Sequence, residues 1–166
     1  MKNKKKYAIE QLSKCKYPMY LIDGNHDRWF IKNSGAYIVQ DICENLENCM
    51  FLGNDEGDLV VNNVIIKLWH GEDGNSYSLS YRIQKIIEAF VGGQKPQILL
   101  CGHVHKALYL PCERNIHAFG TGALSRQSKW MRSKRLANHA GFWIIEFTYN
   151  EKGVSDCSEK FYNFYE

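Results

Sequence analysis

The sequence predicts an α/β fold of two stacked sheets flanked by helices, and three observations predict it. First, three apolar strand-like runs each end in an abrupt polar or glycine-rich tip: Tyr17–Ile22 before Asp23-Gly24-Asn25-His26-Asp27, Val64–Trp69 before His70-Gly71-Glu72, and Pro96–Cys101 before Gly102-His103-Val104-His105. Second, the strongest helical stripe (Ile83, Ile86, Ile87, Phe90) lies between the second and third runs, where a crossover between parallel strands belongs. Third, the pattern after His105 becomes that of short antiparallel strands.

Taken in order, residues ~3–14 have the helical spacing Ala8, Ile9, Leu12, ended where Tyr17-Pro18 forces the chain extended. After the first strand, Ile38, Val39, Ile42, Cys43 and Leu46 mark a helix over ~35–47, and Met50–Leu52 a short strand. Leu59–Val61 and Val64–Trp69 flank Asn62-Asn63, a two-residue hairpin signal because Asn tolerates positive φ. The crossover helix is expected over ~76–91, capped by Asn75 or Ser76 and stopped by Gly92-Gly93. Strands are then expected at Ala107–Leu110, Ile116–Phe119, Phe142–Tyr149 and near Phe161, with Asn150–Gly153 as a hairpin turn.

At 166 residues the chain is read as a single domain, 1–166. A net charge of +3 is too small to imply nucleic acid or membrane by itself. No apolar run approaches the ~20 residues of a membrane helix, and the Lys-rich start precedes no apolar segment, so neither membrane nor secretion is expected. Six cysteines without a C-x-x-C pair read as reduced thiols of a cytoplasmic protein.

Ligands of open α/β sheets bind beyond the carboxyl ends of the strands. Three such ends deliver Asn25, His26, His70, His103 and His105 to one edge, which reads as a divalent-metal site. His103 and His105 are two residues apart, so an extended backbone would project both to one side. A mixed imidazole and amide set suits Mn, Zn, Fe or a similar ion and leans away from a closed structural zinc site. His117 and His139 sit in no motif and are read as structural.

Gly24-Asn25-His26-Asp27, His70-Gly71 and Gly102-His103-Val104-His105 resemble the third, fourth and fifth signature blocks of calcineurin-like metallophosphoesterases. The likeness spans nearly all of residues 1–125 and implies an α/β/β/α sandwich with two metals at the strand ends. Carried over, Asn25, His70 and His103 would bind one metal, His105 the other, and His26 would protonate the leaving oxygen with Asp27 shaping its loop. In such chemistry two cations grip the phosphoryl oxygens and hold a hydroxide nucleophile between them.

The family's earlier D-x-H and GDxxD blocks have no counterpart here; Asp23, the acidic residue just ahead of Gly24, lacks their spacing. The expectation is an N-terminally incomplete domain that lacks the first strand or strands and holds one metal or fewer. An exposed sheet edge would invite a segment from another chain. Arg28 and Arg126 are the candidates for gripping substrate phosphate. Trp130, amid Arg126, Lys129, Arg132, Lys134 and Arg135, suggests a nucleic-acid partner. The function expected is hydrolysis of a phosphomonoester or phosphodiester. The alternative is a non-catalytic phosphate- or nucleic-acid-binding module, or an inactive gene fragment.

Overall fold

The computed structural model describes residues 2–71 and 78–164. Helix α1 (Lys2–Leu12) leads to strand β1 (Met19–Asp23), which opens directly after Pro18. β1 pairs in parallel with β2 (Cys49–Asn54), and two helices, α2 (Asn25–Ser34) and α3 (Ile38–Glu44), make the crossover. α3 carries the expected stripe, with Ile42 and Cys43 buried. α2 is not among the helices expected from the sequence, and it buries no side chain completely. Its ends hold it instead. The Asp27 carboxylate accepts from the Gly24 amide at 3.0 Å. Gly35 ends the helix in the left-handed region (φ +66°), where a residue without Cβ is least strained.

The main sheet has the order β3-β4-β5-β7-β6. β3 (Glu56–Val61) and β4 (Val64–Trp69) form the expected hairpin, with Asn62 at φ +54°. β4, β5 (Ile98–Cys101) and β7 (Ile116–Thr121) run parallel, and β6 (Ala107–Glu113) closes the edge antiparallel to β7. The crossover helix α4 spans Tyr81–Ala89, so it is shorter than the stripe suggests. The expected caps Asn75 and Ser76 lie outside the described residues. At its far end Phe90 is already extended, two residues before Gly92-Gly93. Ile83 and Ile87 pack with Leu99, Cys101, Ile116 and Ala118 as the core. Each fully buried aliphatic side chain of this kind contributes about 1.5–3 kcal/mol relative to exposure.

The last hairpin, β8 (Gly141–Asn150) and β9 (Gly153–Asn163), turns where expected, the Lys152 amide donating to Asn150 Oδ1 at 2.8 Å. Trp143 joins it to the main sheet: its Nε1 donates to Gly120 O at 2.8 Å and its ring packs edge-on against Phe119. The α/β layout therefore holds, with the described strands divided among one five-stranded and two two-stranded sheets. Within the basic stretch α5 (Lys129–Ser133) forms, capped by Ser128 Oγ accepting from Met131 N. No helix among the described residues is long and apolar enough to cross a membrane.

Candidate metal centre

β4 and β5 are neighbours in the main sheet and β1 belongs to the smaller one, yet the polar tips of all three meet. Asn25 opens α2 immediately after β1, and its Oδ1 lies 2.9 Å from His70 Nε2. His70 follows β4, held by its amide donating to Asp55 O at 2.7 Å. His103 follows β5, with Nδ1 3.3 Å from that same His70 nitrogen. Gly24 makes the close approach possible, since a Cβ there would stand 2.5 Å from His70 Cε1.

Atoms that ligate one ion at about 2.1 Å stand roughly 3.0 Å apart around an octahedral ion and 3.4 Å around a tetrahedral one. The two spacings to His70 Nε2, 2.9 Å from Asn25 Oδ1 and 3.3 Å from His103 Nδ1, lie near those values. Among the described residues, no group of three or more His, Cys, Asp or Glu side chains is placed to hold a metal. The third donor is instead the Asn25 amide oxygen. Burial pushes the His70 pKa down, and His103 adds to it against the opposing pull of Asp55 and Asp27. A neutral imidazole is the form that ligates metal. The residues therefore fit one cation.

The histidine pair departs from the extended geometry expected of it. His103 and His105 both adopt left-handed backbone (φ +67° and +54°), so the alternation rule does not apply to them. The chain turns sharply at the strand end, with Val104 N donating to Gly102 O at 2.8 Å. Non-glycine residues in that region cost of order 1–3 kcal/mol each and persist where surrounding structure holds them. His105 is held by its carbonyl, which accepts from His139 N at 2.8 Å, and by its Nδ1, 3.1 Å from Asn138 Oδ1. His105 Nδ1 is thus engaged by Asn138, while His70 Nε2 is the atom that both Asn25 and His103 approach.

A cavity of about 630 Å³ joins these groups, and Asn25, His26, His70, His103 and His105 are part of its lining. His26 is exposed in the first turn of α2. Arg126 also lines the cavity, whereas Arg28 is not among its lining residues. Arg28 instead forms an ion pair with Asp55. Asp55 in turn donates its amide to Asp23 Oδ1 at 2.9 Å. Asp23 is buried, which raises its pKa despite that bond. This Asp23–Asp55–Arg28 chain braces the loop beneath the cluster and was not foreseen from the sequence. Asn138 and the apolar residues Trp130, Met131 and Leu136 were also not placed at the site by sequence; they lie far along the chain and follow no motif. His117 sits elsewhere, bonded through Nδ1 to the Tyr109 hydroxyl at 2.7 Å. His139 accepts from Ala107 N at 2.9 Å, a structural bond.

No family model and no curated protein sequence matches the chain. Solved structures do. An archaeal phosphodiesterase superimposes with a TM-score of 0.52 at 14% identity, over 94% of this chain and 76% of its own. Vps29 from Entamoeba histolytica, in a complex with Zn²⁺, aligns with a TM-score of 0.45 at 14% identity, over 96% of this chain and 89% of its own. Vps29 from Cryptosporidium parvum gives 0.44 at 10% identity, over 95% and 88%. The likeness to the phosphodiesterase extends over nearly the whole chain, and the chain has the calcineurin-like metallophosphoesterase fold.

Proposed function

We propose that the chain binds one divalent cation, Mn, Zn or Fe, through Asn25, His70 and His103, and with it holds and slowly cleaves a phosphomonoester or phosphodiester. The observation that carries this reading is that Asn25 Oδ1 and His103 Nδ1 both stand at metal-ligand spacing from His70 Nε2, in a cavity that His26 and Arg126 also line. When bound, the cation supplies positive charge to the phosphoryl oxygens. Arg126 grips a phosphate oxygen through its planar guanidinium. His26, exposed at the rim, gives a proton to the leaving oxygen. His105, anchored through Nδ1 by Asn138, would offer Nε2 to the phosphoryl group or to a second cation. Slow turnover is expected because, among the described residues, the carboxylates around the cluster are engaged structurally: Asp27 by the Gly24 amide, Asp55 by Arg28, Asp23 by the Asp55 amide.

The test is metal content after dialysis together with hydrolysis of a chromogenic aryl phosphodiester in Mn²⁺. One metal per chain, lost in the His70→Ala/His103→Ala variant, and weak turnover abolished by His26→Ala, are the expected results. Metal content unchanged in the double variant would sink the assignment.

Two partner readings accompany it. Five cations between residues 126 and 135 favour weak, salt-sensitive contact with single-stranded nucleic acid. β1 hydrogen-bonds only β2 among the described strands, so its other edge is where a strand from another chain would add. The cytoplasm is the proposed location, consistent with six free cysteines.

A further inference from the structure

The cavity that holds the histidines has a second wall of opposite character. Trp130, Met131 and Leu136 line the same 630 Å³ space as the histidines, and no metal-site motif accounts for them. Local bonds fix this wall in place. Ser128 caps α5, Leu136 N donates to Met131 O at 3.0 Å, and Gln127 Nε2 donates to Leu136 O at 2.7 Å. Asn138 then ties the segment to the site: its Nδ2 donates to Ser125 O at 2.9 Å while its Oδ1 meets His105 at 3.1 Å. The distance between wall and histidines is therefore set by the fold.

Within that wall the two neighbouring side chains divide the work. Met131 is 8% exposed and anchors the helix to the domain. Trp130 is 64% exposed, and among the described residues it makes no ring contact with another aromatic side chain. Its indole thus borders a polar, phosphate-binding end with a large apolar ring face in contact with solvent. A pocket with convergent polar groups at one end and an apolar wall at the other orients an amphipathic ligand. A phosphoester of a small polyol would leave the indole wet, whereas a flat aromatic ring would cover it and gain stacking contacts.

We infer that α5 is an aromatic-recognition wall, and that the site selects phosphoesters whose leaving group carries a planar ring stacked on Trp130. This rests on the phosphoester reading above and specifies its substrate class. Trp130 is on this view a specificity residue, with the chemistry left to the histidines.

The test is calorimetric binding by the full chain in Mn²⁺ of four probes: adenosine 5′-monophosphate, phenyl phosphate, ribose 5-phosphate and inorganic phosphate. The two ring-bearing probes are expected to bind about ten-fold tighter than ribose 5-phosphate, toward the lower end of the range for stacking on an aromatic side chain. Trp130→Ala should remove that advantage and leave inorganic phosphate binding unchanged, while Trp130→Phe should keep most of it. Phenyl phosphate matching the nucleotide would assign the wall to rings in general; an advantage confined to the nucleotide would assign it to nucleobases. Equal binding of ring-bearing and ringless esters, or an advantage that survives Trp130→Ala, overturns the inference while phosphate binding keeps the phosphoester reading alive. Failure of all four probes to bind overturns both.

Discussion

Replacing Gly24 with alanine separates the metal cluster from the fold that carries it. Gly24 has φ −132° and ψ −177°, extended backbone that alanine adopts without strain, so the substitution acts through space alone. The new Cβ would lie 2.5, 2.7 and 2.8 Å from His70 Cε1, Nε2 and Nδ1, where ordinary contact begins near 3.4 Å. The imidazole must therefore retreat by roughly 0.6–0.9 Å, or the strand end must give way by a similar amount. Metal sites tolerate ligand displacements of about ±0.2 Å, so one of three donors would leave coordinating range. Overpacking of this size costs ~1–3 kcal/mol of stability, and Mn²⁺ affinity should fall about 10–100-fold, the scale on which misorienting a ligand is felt. Calorimetric Mn²⁺ titration and urea unfolding of the metal-free chain measure the two effects separately. Gly35→Ala is the control. A Cβ there meets nothing within 4 Å, but φ is +66°, so about 1 kcal/mol of stability should be lost with no change in metal affinity. If Gly24→Ala binds Mn²⁺ as the parent does, the Asn25–His70–His103 cluster is not the metal site.

Three further outcomes are expected. Ile87 is completely buried against the main sheet, so Ile87→Ala should cost ~2–5 kcal/mol in urea unfolding, and a loss below about 1 kcal/mol would contradict the assigned core. Burial lowers the His117 pKa, outweighing the pull of Glu159 and Asp156, so the unfolded chain takes up the proton first. Stability should then fall as pH drops below about 6.5 and level off below the folded value; His117→Leu should flatten the profile in part, since His70 is shifted the same way. Cys101 is buried with its pKa pushed up to about 12, so native protein should alkylate at exposed Cys112 and spare Cys101, as peptide mass spectrometry would show; rapid labelling of Cys101 would refute that burial.

Elements whose signal is local were legible before the structure. The β3–β4 hairpin follows from Asn62-Asn63 between apolar runs, and α4 from a stripe that faces one sheet. The three strand-end tips were legible for the same reason: an apolar run that stops at Gly-Asn-His, His-Gly or Gly-His-x-His records both the strand and its polar mouth within a few residues. Local signals failed where tertiary contacts choose the conformation. α2 buries no side chain completely, and its start depends on Asp27 reaching back to Gly24. His103 and His105 leave the extended backbone that their spacing suggests because His139 and Asn138 hold the turn from more than thirty residues away. Arg28 followed the histidine motif as a phosphate candidate, yet its ion-pair partner Asp55 lies across the fold, and only packing could bring the two together. The wall of Trp130, Met131 and Leu136 shows the same limit. Sequence determines which side chains exist and which local turns they favour, but which distant segments share a cavity is decided when burial of the core brings the strand ends and α5 to one edge.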